Sequence, residues 1–106
     1  MILCNTETLP GKRIVENYGL VQGSTVRAKH LGRDIMAGLK NIVGGELAGY
    51  TELLEDARKE ATRRMIEDAR AKGATAIINV RFSTTSVTQG AAELFAYGSA
   101  VRIEDE

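Results

Sequence analysis

The sequence predicts an α+β domain in which a small, mostly antiparallel sheet packs on one long helix and a shorter helix. Three observations lead to this fold class. One long interval has helical periodicity, stretches with strand character lie on both sides of it, and the chain has 106 residues. A chain of this length forms one domain, residues 1–106, because two independent cores would need more residues.

The long helix is predicted between Gly49 and Gly73, an interval that contains no glycine. Thr51 is expected to cap its start, and Gly73 is expected to lie just past its end. Apolar residues recur in the interval at spacings of three and four, which indicates one buried helix face. They are Tyr50, Leu53, Leu54, Ala57, Ala61, Met65 and Ala69.

A shorter helix is predicted before it, and Gly44 and Gly45 are expected to end that helix. Its apolar side consists of Leu31, Ile35, Leu39 and Ile42. Gly38 lies inside this pattern, where glycine costs about 1 kcal/mol relative to alanine, so it indicates a close approach of backbones. The glycine-rich segment before Glu46 is interpreted as a turn between helices, because a carboxylate beside it would repel a phosphate.

Strand patterns occupy most of the remaining chain. Residues 2–8 form a short strand, and residues 13–27 form a long strand. Gly19 and Gly23 lie inside the long strand, where glycine indicates a bend, a bulge or the close approach of another chain. Residues 75–83 alternate, with Ile78, Val80 and Phe82 on one side. Residues 93–103 carry bulky apolar side chains on one face and small ones on the other. One helix covers one sheet face, so a partner chain is expected to cover the second.

Composition argues against several classes of function. The chain has 14 basic and 14 acidic side chains, and this balance argues against general nucleic-acid binding. No apolar run is long enough to span a membrane, and the N-terminus does not resemble a secretory signal. The single cysteine, Cys4, excludes an internal disulfide and indicates a reducing compartment, so a cytoplasmic location is predicted.

Few residues are suited to chemistry. Cys4 and His30 are the candidate ligands for a divalent or soft metal ion, but a structural zinc site needs about four such ligands. A symmetric oligomer would have to gather them around an axis. Cys4 is otherwise expected to be a small strand residue, and His30 a surface or capping residue. No nucleophile motif or phosphate-binding loop is present, so no catalytic residue is predicted.

A set of polar residues remains whose role the sequence leaves open. Its members are Glu16, Arg33, Asp34, Tyr50 and Arg58. Charged side chains at the edge of a buried face usually form interface ion pairs or pack their stems. The alternative is that these five residues converge on a pocket for a metal ion or a small ligand between subunits.

Several short motifs together resemble a known family. They are Ile14-Val15-Glu16 with Gly19, Val21 and Gly23; Arg33-Asp34 with Gly38, Ile42-Val43-Gly44-Gly45 and Tyr50; Ala57-Arg58, Ala69, Gly73-Ala74 and Ala76; and Gly98-Ser99-Ala100-Val101. In this set the sequence resembles the YbjQ-type proteins, a family of uncharacterised role that is described as heavy-metal-binding. The resemblance covers nearly the whole chain.

The resemblance implies a dodecin-like subunit and a ring-shaped homo-oligomer, typically a pentamer, in which short extra strands link neighbours. It would make residues 2–8 a strand that adds to a neighbouring sheet. The leading prediction is therefore a cytoplasmic homopentamer without catalytic activity, whose partner is itself and not nucleic acid or a membrane. The alternative is a protein that binds a metal or small ligand at subunit interfaces.

Overall fold

A computed structural model describes residues 1–27, 42–43, 46–88 and 91–106. These residues form a four-stranded mixed sheet, a separate two-stranded sheet and one long helix. The elements are β1 (Ile2–Leu3), β2 (Lys12–Arg27), β3 (Ile42–Val43), β4 (Glu46–Leu47), α1 (Ala48–Ala71), β5 (Ala76–Thr88) and β6 (Ala91–Asp105). The main sheet has the order β1-β5-β6-β2, so β6 lies between its two long neighbours. The predicted α+β class is confirmed.

The long helix follows its predicted apolar periodicity. Ala57, Ala61, Met65 and Ala69 in α1 have no exposed surface and pack on the sheet. The predicted cap at Thr51 is wrong, because α1 begins three residues earlier at Ala48. The predicted end is confirmed: the Gly73 amide donates to the Arg70 carbonyl at 3.0 Å. Gly73 has φ +86°, the left-handed conformation in which glycine commonly ends a helix.

Strand β6 divides its two faces by side-chain size, as the sequence predicts. Leu94, Ala96 and Ala100 point to the sheet face that α1 covers, which we call the helix face. Val101 and Ile103 lie on the opposite, outer face. The small side chains on the helix face allow α1 to lie close to the sheet.

The predicted alternation of β5 is wrong beyond Ile78. Asn79 has φ +53°, and the pairing of β5 with β6 shifts between Ile78 and Arg81. Ile77 and Val80 therefore share the helix face, whereas Ile78 lies on the outer face. A bulge of this kind adds one residue and reverses the side-chain parity of the strand after it. Asparagine tolerates the left-handed backbone better than most residues, which fits its place in the bulge.

The N-terminal segment packs against its own chain. β1 pairs in parallel with β5 of the same chain, with Ile2 opposite Ala76, which corrects the prediction that this strand adds to a neighbouring sheet. Cys4 and Leu9 then pack on Ile78 and Val101 of the outer face. We expected that no part of the chain covers the outer face. This is wrong around Val101, where Cys4 and Leu9 cover it.

The two glycines of β2 have different roles: the predicted irregularity is confirmed at Gly19, whereas the backbone close to Gly23 belongs to the chain's own helix and not to another chain. Gly19 has φ +91° at a shift in the pairing with β6, and its amide donates to the Asn17 side chain at 2.8 Å. Gly23 lies against the backbone of α1. A methyl group in place of its hydrogen would approach the Met65 nitrogen to 2.5 Å and would collide with the Ala61 carbonyl.

The predicted shorter helix is wrong at its C-terminal end. Ile42 and Val43 form β3, which pairs antiparallel with β4 through Val43 and Glu46. The interpretation of this segment as a turn between helices is wrong for the same reason. Leu31, Ile35, Gly38, Leu39, Gly44 and Gly45 lie outside the described residues.

Candidate functional site

Glu16 takes part in a ladder of ion pairs between β2 and β6. The Arg102 guanidinium lies 3.2 Å from Glu16 and 3.1 Å from Glu104, and Arg13 lies 3.2 Å from Glu104. A hydrogen bond from Tyr18, followed by the bond from Arg102, holds the pKa of Glu16 below its usual range. Exposed pairs of this kind contribute little stability, but opposite charges across two strands favour one register.

The five polar residues predicted to share a site do not all meet. Tyr18, two residues from Glu16, reaches Gly73 beyond the C-terminal end of α1. Arg58 lies on α1 about 20 Å before that end, at 1.5 Å per residue. The structure therefore places Glu16 near the C-terminal end of α1 and Arg58 near its middle. Arg33 and Asp34 lie outside the described residues. Tyr50 lies near the start of α1, and its side chain is likewise not described.

The candidate metal ligands are also separated or undescribed. The Cys4 thiol is part-buried and exchanges hydrogen bonds with Thr6, at 3.5 Å to its carbonyl and 3.4 Å from its hydroxyl. Within the described ranges, no three His, Cys, Asp or Glu side chains group together in a way that could hold a metal ion. His30 lies outside those ranges.

The position of α1 over the sheet is set by contacts at the edge of β2. The Gln22 amide donates to the Asp68 carboxylate at 3.3 Å, and Arg64 donates to the Ser24 carbonyl at 2.6 Å. Two backbone groups on the outer edge of β2 are thus satisfied by side chains of the helix. These bonds, together with the close approach at Gly23, hold α1 over the β2 side of the sheet.

Because α1 lies toward β2, a cleft of about 740 Å³ remains between α1 and β5. Phe82 forms its wall on the β5 side, and 52% of its surface is exposed. Phe82 lies opposite Ala96 in the sheet, which places it on the helix face. The helix contributes a row of residues spaced by three or four positions, including Arg58, Ile66 and Arg70. We call this space the α1–β5 cleft.

The charges along the α1–β5 cleft are only partly paired. Arg63 donates to both oxygens of Glu60 at 3.0 Å and also pairs with Glu67. Within the part of the chain that the structure describes, Arg58, Lys59 and Arg70 have no ion pair. Glu55 is the remaining carboxylate in the lining. Unpaired positive charge therefore exceeds unpaired negative charge in the cleft.

Glu60 provides a test of these pairings through pH. A hydrogen bond from Arg63 is the main reason that the pKa of Glu60 is lowered from 4.5 to about 2. A carboxylate with a lowered folded-state pKa stabilises the fold above its unfolded pKa, and this contribution disappears as pH falls through the folded value. We expect Glu60→Gln to lower the melting temperature at pH 7 and to match the native chain near pH 2. Calorimetry at pH 7, 4 and 2 measures this. A constant difference across these pH values would contradict the pairing.

Comparison with known proteins now identifies the family. The sequence model of the YbjQ_1 family, described as "Putative heavy-metal-binding", matches residues 1–104. The chain belongs to this family. A UPF0145 protein of Hahella chejuensis is 71% identical over 104 residues, covering 98% of this chain and 100% of the relative. A UPF0145 protein of Dehalococcoides mccartyi is 59% identical with the same coverage.

A solved structure supports the fold. The crystal structure of a protein with unknown function of the DUF74 family, from Pediococcus pentosaceus, superposes with a TM-score of 0.66. The two chains are 14% identical, and the match covers 98% of each. At this identity the likeness concerns the fold alone, and it agrees with the α+β arrangement described above.

The heavy-metal description of the family can be tested against the described residues. The described residues do not fit this description. The thiol of Cys4 forms hydrogen bonds with Thr6, and no group of three His, Cys, Asp or Glu side chains that could hold a metal ion is present within residues 1–27, 42–43, 46–88 and 91–106. In the same ranges no helix is long and apolar enough to cross a membrane. The α1–β5 cleft is a feature within these residues that fits a binding site.

Most of this cleft is not predicted from the sequence. Arg58 belongs to the predicted set of polar site residues, whereas Lys59, Arg70 and Phe82 do not. The spacing of Arg58, Ile66 and Arg70 places them on one side of a helix, and this signal is visible in the sequence. The position of Phe82 on the helix face is not visible in the sequence, because the bulge at Asn79 changes the sheet face to which Phe82 points.

Proposed function

We propose that the chain is a subunit of a cytoplasmic homo-oligomer, a ring of five copies, which acts without catalysis of its own. The observation that carries the proposal is a backbone edge on β5 that has no partner within the described residues, beyond the part of β5 that residues 2–6 cover.

One edge of the sheet is open to a neighbour. Residues 2–6 satisfy the outer edge of β5 as far as Val80, whose amide donates to the Cys4 carbonyl at 2.9 Å. Strand alternation directs the amides of Phe82 and Thr84 to the same edge, where no backbone partner lies within the described residues. An unpaired edge of this kind is a template for strand addition by another chain.

Exposed apolar side chains lie on the opposite side of the sheet from this edge. Leu20 and Val26 on β2 are 63% and 53% exposed. A contact between two different surfaces joins copies head to tail and closes into a ring when the rotation allows it. β3 and β4 form a pair outside the main sheet, which agrees with the short linking strands that the family resemblance implies. We assign such a strand of the next copy to the open β5 edge.

The electrostatics of the described residues favour a structural role over catalysis. Four carboxylates have a lowered pKa, and each owes it to a hydrogen bond or ion pair at the surface: Glu16, Glu60, Asp68 and Asp105. Catalytic acids and bases usually have a pKa shifted by burial in a cleft. A single cysteine supports the cytoplasmic location.

Native mass spectrometry of untagged protein tests the assembly and its order. We expect a species of five times the 11.5 kDa chain mass. A different closed ring would correct the number of copies and keep the open-edge contact. A single-chain species at micromolar concentration would overturn the proposal.

A further inference from the structure

The α1–β5 cleft has two walls of different chemistry. On the strand side, Phe82 presents an aromatic ring that is 52% exposed, although it lies on the helix face of the sheet. On the helix side, Ile66 adds a part-buried apolar surface beside exposed Arg58 and Arg70. An aromatic ring between cationic side chains suits a ligand that has an apolar body and an anionic group.

The cations of the cleft differ in their freedom to bind a ligand. Arg63 is committed to Glu60 and Glu67, so its charge is already compensated. Arg58, Lys59 and Arg70 have no such partner in the ranges that the structure describes, and Glu55 opposes them alone. This leaves an excess of positive charge in a chain that has no net charge. Arginine is the side chain best suited to carboxylate and phosphate groups, because its donors form a planar fork.

The two walls together narrow the class of ligand. A small inorganic ion would leave Phe82 and Ile66 in water, and a neutral apolar molecule would leave Arg58 and Arg70 unused. A volume of about 740 Å³ lies within the range of pockets for drug-sized molecules. We infer that the α1–β5 cleft binds a small organic anion, with the apolar body on Phe82 and the acidic group on one of the two arginines, Arg58 or Arg70, that line the helix side of the cleft.

Anilinonaphthalene sulfonate is a suitable probe, since it combines an aromatic body with one anionic group and fluoresces when it leaves water. Its uncharged counterpart, phenylnaphthylamine, tests the apolar wall alone. We expect the double variant Arg58→Gln/Arg70→Gln to bind the sulfonate about tenfold more weakly and to bind the uncharged probe within about twofold of the native affinity. Phe82→Ala should weaken both probes.

A matched variant removes two cations elsewhere. Lys12 and Arg13 lie at the far end of the sheet in pairs with Asp105 and Glu104. Lys12→Gln/Arg13→Gln should leave sulfonate binding unchanged. The inference is overturned if the native protein binds neither probe, if Arg58→Gln/Arg70→Gln retains sulfonate affinity, or if both double variants lose it equally. Light scattering on each variant reports the assembly separately, so a loss of binding at unchanged mass supports the cleft independently of the proposed ring.

Discussion

Replacing Gly23 by alanine is expected to destabilise the fold by about 3 kcal/mol, measured by urea unfolding. The added methyl group would collide with the Ala61 carbonyl and would lie 2.5 Å from the Met65 nitrogen and 2.8 Å from the Arg64 Cβ. Two of these atoms belong to the helix backbone, which cannot move aside as a flexible side chain can. The helix would have to lift from β2, and overpacking of this kind costs about 1–3 kcal/mol or more.

Gly19 provides a matched control on the same strand. A methyl group at Gly19 would meet nothing within 4 Å, but the residue has φ +91°. Gly19→Ala should therefore cost about 1–2 kcal/mol through backbone strain alone. If Gly23→Ala were no more destabilising than Gly19→Ala, the close approach of α1 to β2 would be wrong.

Replacing Thr84 by proline is expected to reduce the assembly to single chains while the fold persists. Proline removes one amide hydrogen and is tolerated where a strand amide faces an open edge. The alternation from Val80 places the Thr84 amide at that edge, where the described part of the chain offers it no backbone partner. A neighbour that pairs with β5 needs this amide, so its removal should weaken the contact by at least tenfold in association constant.

Two further variants serve as controls for Thr84→Pro. Thr84→Ala keeps the amide and should keep the assembly. Thr85→Pro removes an amide directed at β6 and should destabilise the chain, because it interrupts the ladder between the two inner strands, β5 and β6. Light scattering gives the mass, and far-ultraviolet circular dichroism gives the fold. A Thr84→Pro protein with the native mass would show that copies do not meet through the β5 edge.

The parts of the fold with regular periodicity could be predicted from the sequence. The buried face of α1 and the division of β6 into small and bulky faces follow directly from residue spacing. The special backbone environments of Gly19 and Gly23 could also be predicted, because glycine inside a strand usually marks a bulge, a bend or the close approach of another backbone. In each case the signal is local in the sequence.

The other features of the fold and of the cleft depend on local irregularities and on contacts between distant residues, which the spacing of residues in the sequence does not show. The bulge at Asn79 inserts one residue and places Phe82 on the helix face, against the simple alternation. The segment before Gly44 shows helical spacing at Ile42, but the structure pairs Ile42 with Leu47 in a two-residue ladder. The cleft arises because Asp68 and Arg64 hold α1 at the β2 edge, and such side-chain contacts between distant elements leave no periodic trace.

The central claim is that a second copy pairs with the open edge of β5. Hydrogen exchange at the Thr84 amide, followed by nuclear magnetic resonance on the assembled protein, tests it most directly. The neighbouring amides of Ser83 and Thr85 face β6 and serve as internal references for a protected strand. Strand addition predicts that the Thr84 amide exchanges as slowly as these two. Exchange of Thr84 at the rate of an unprotected surface amide, beside protected Ser83 and Thr85, would contradict it.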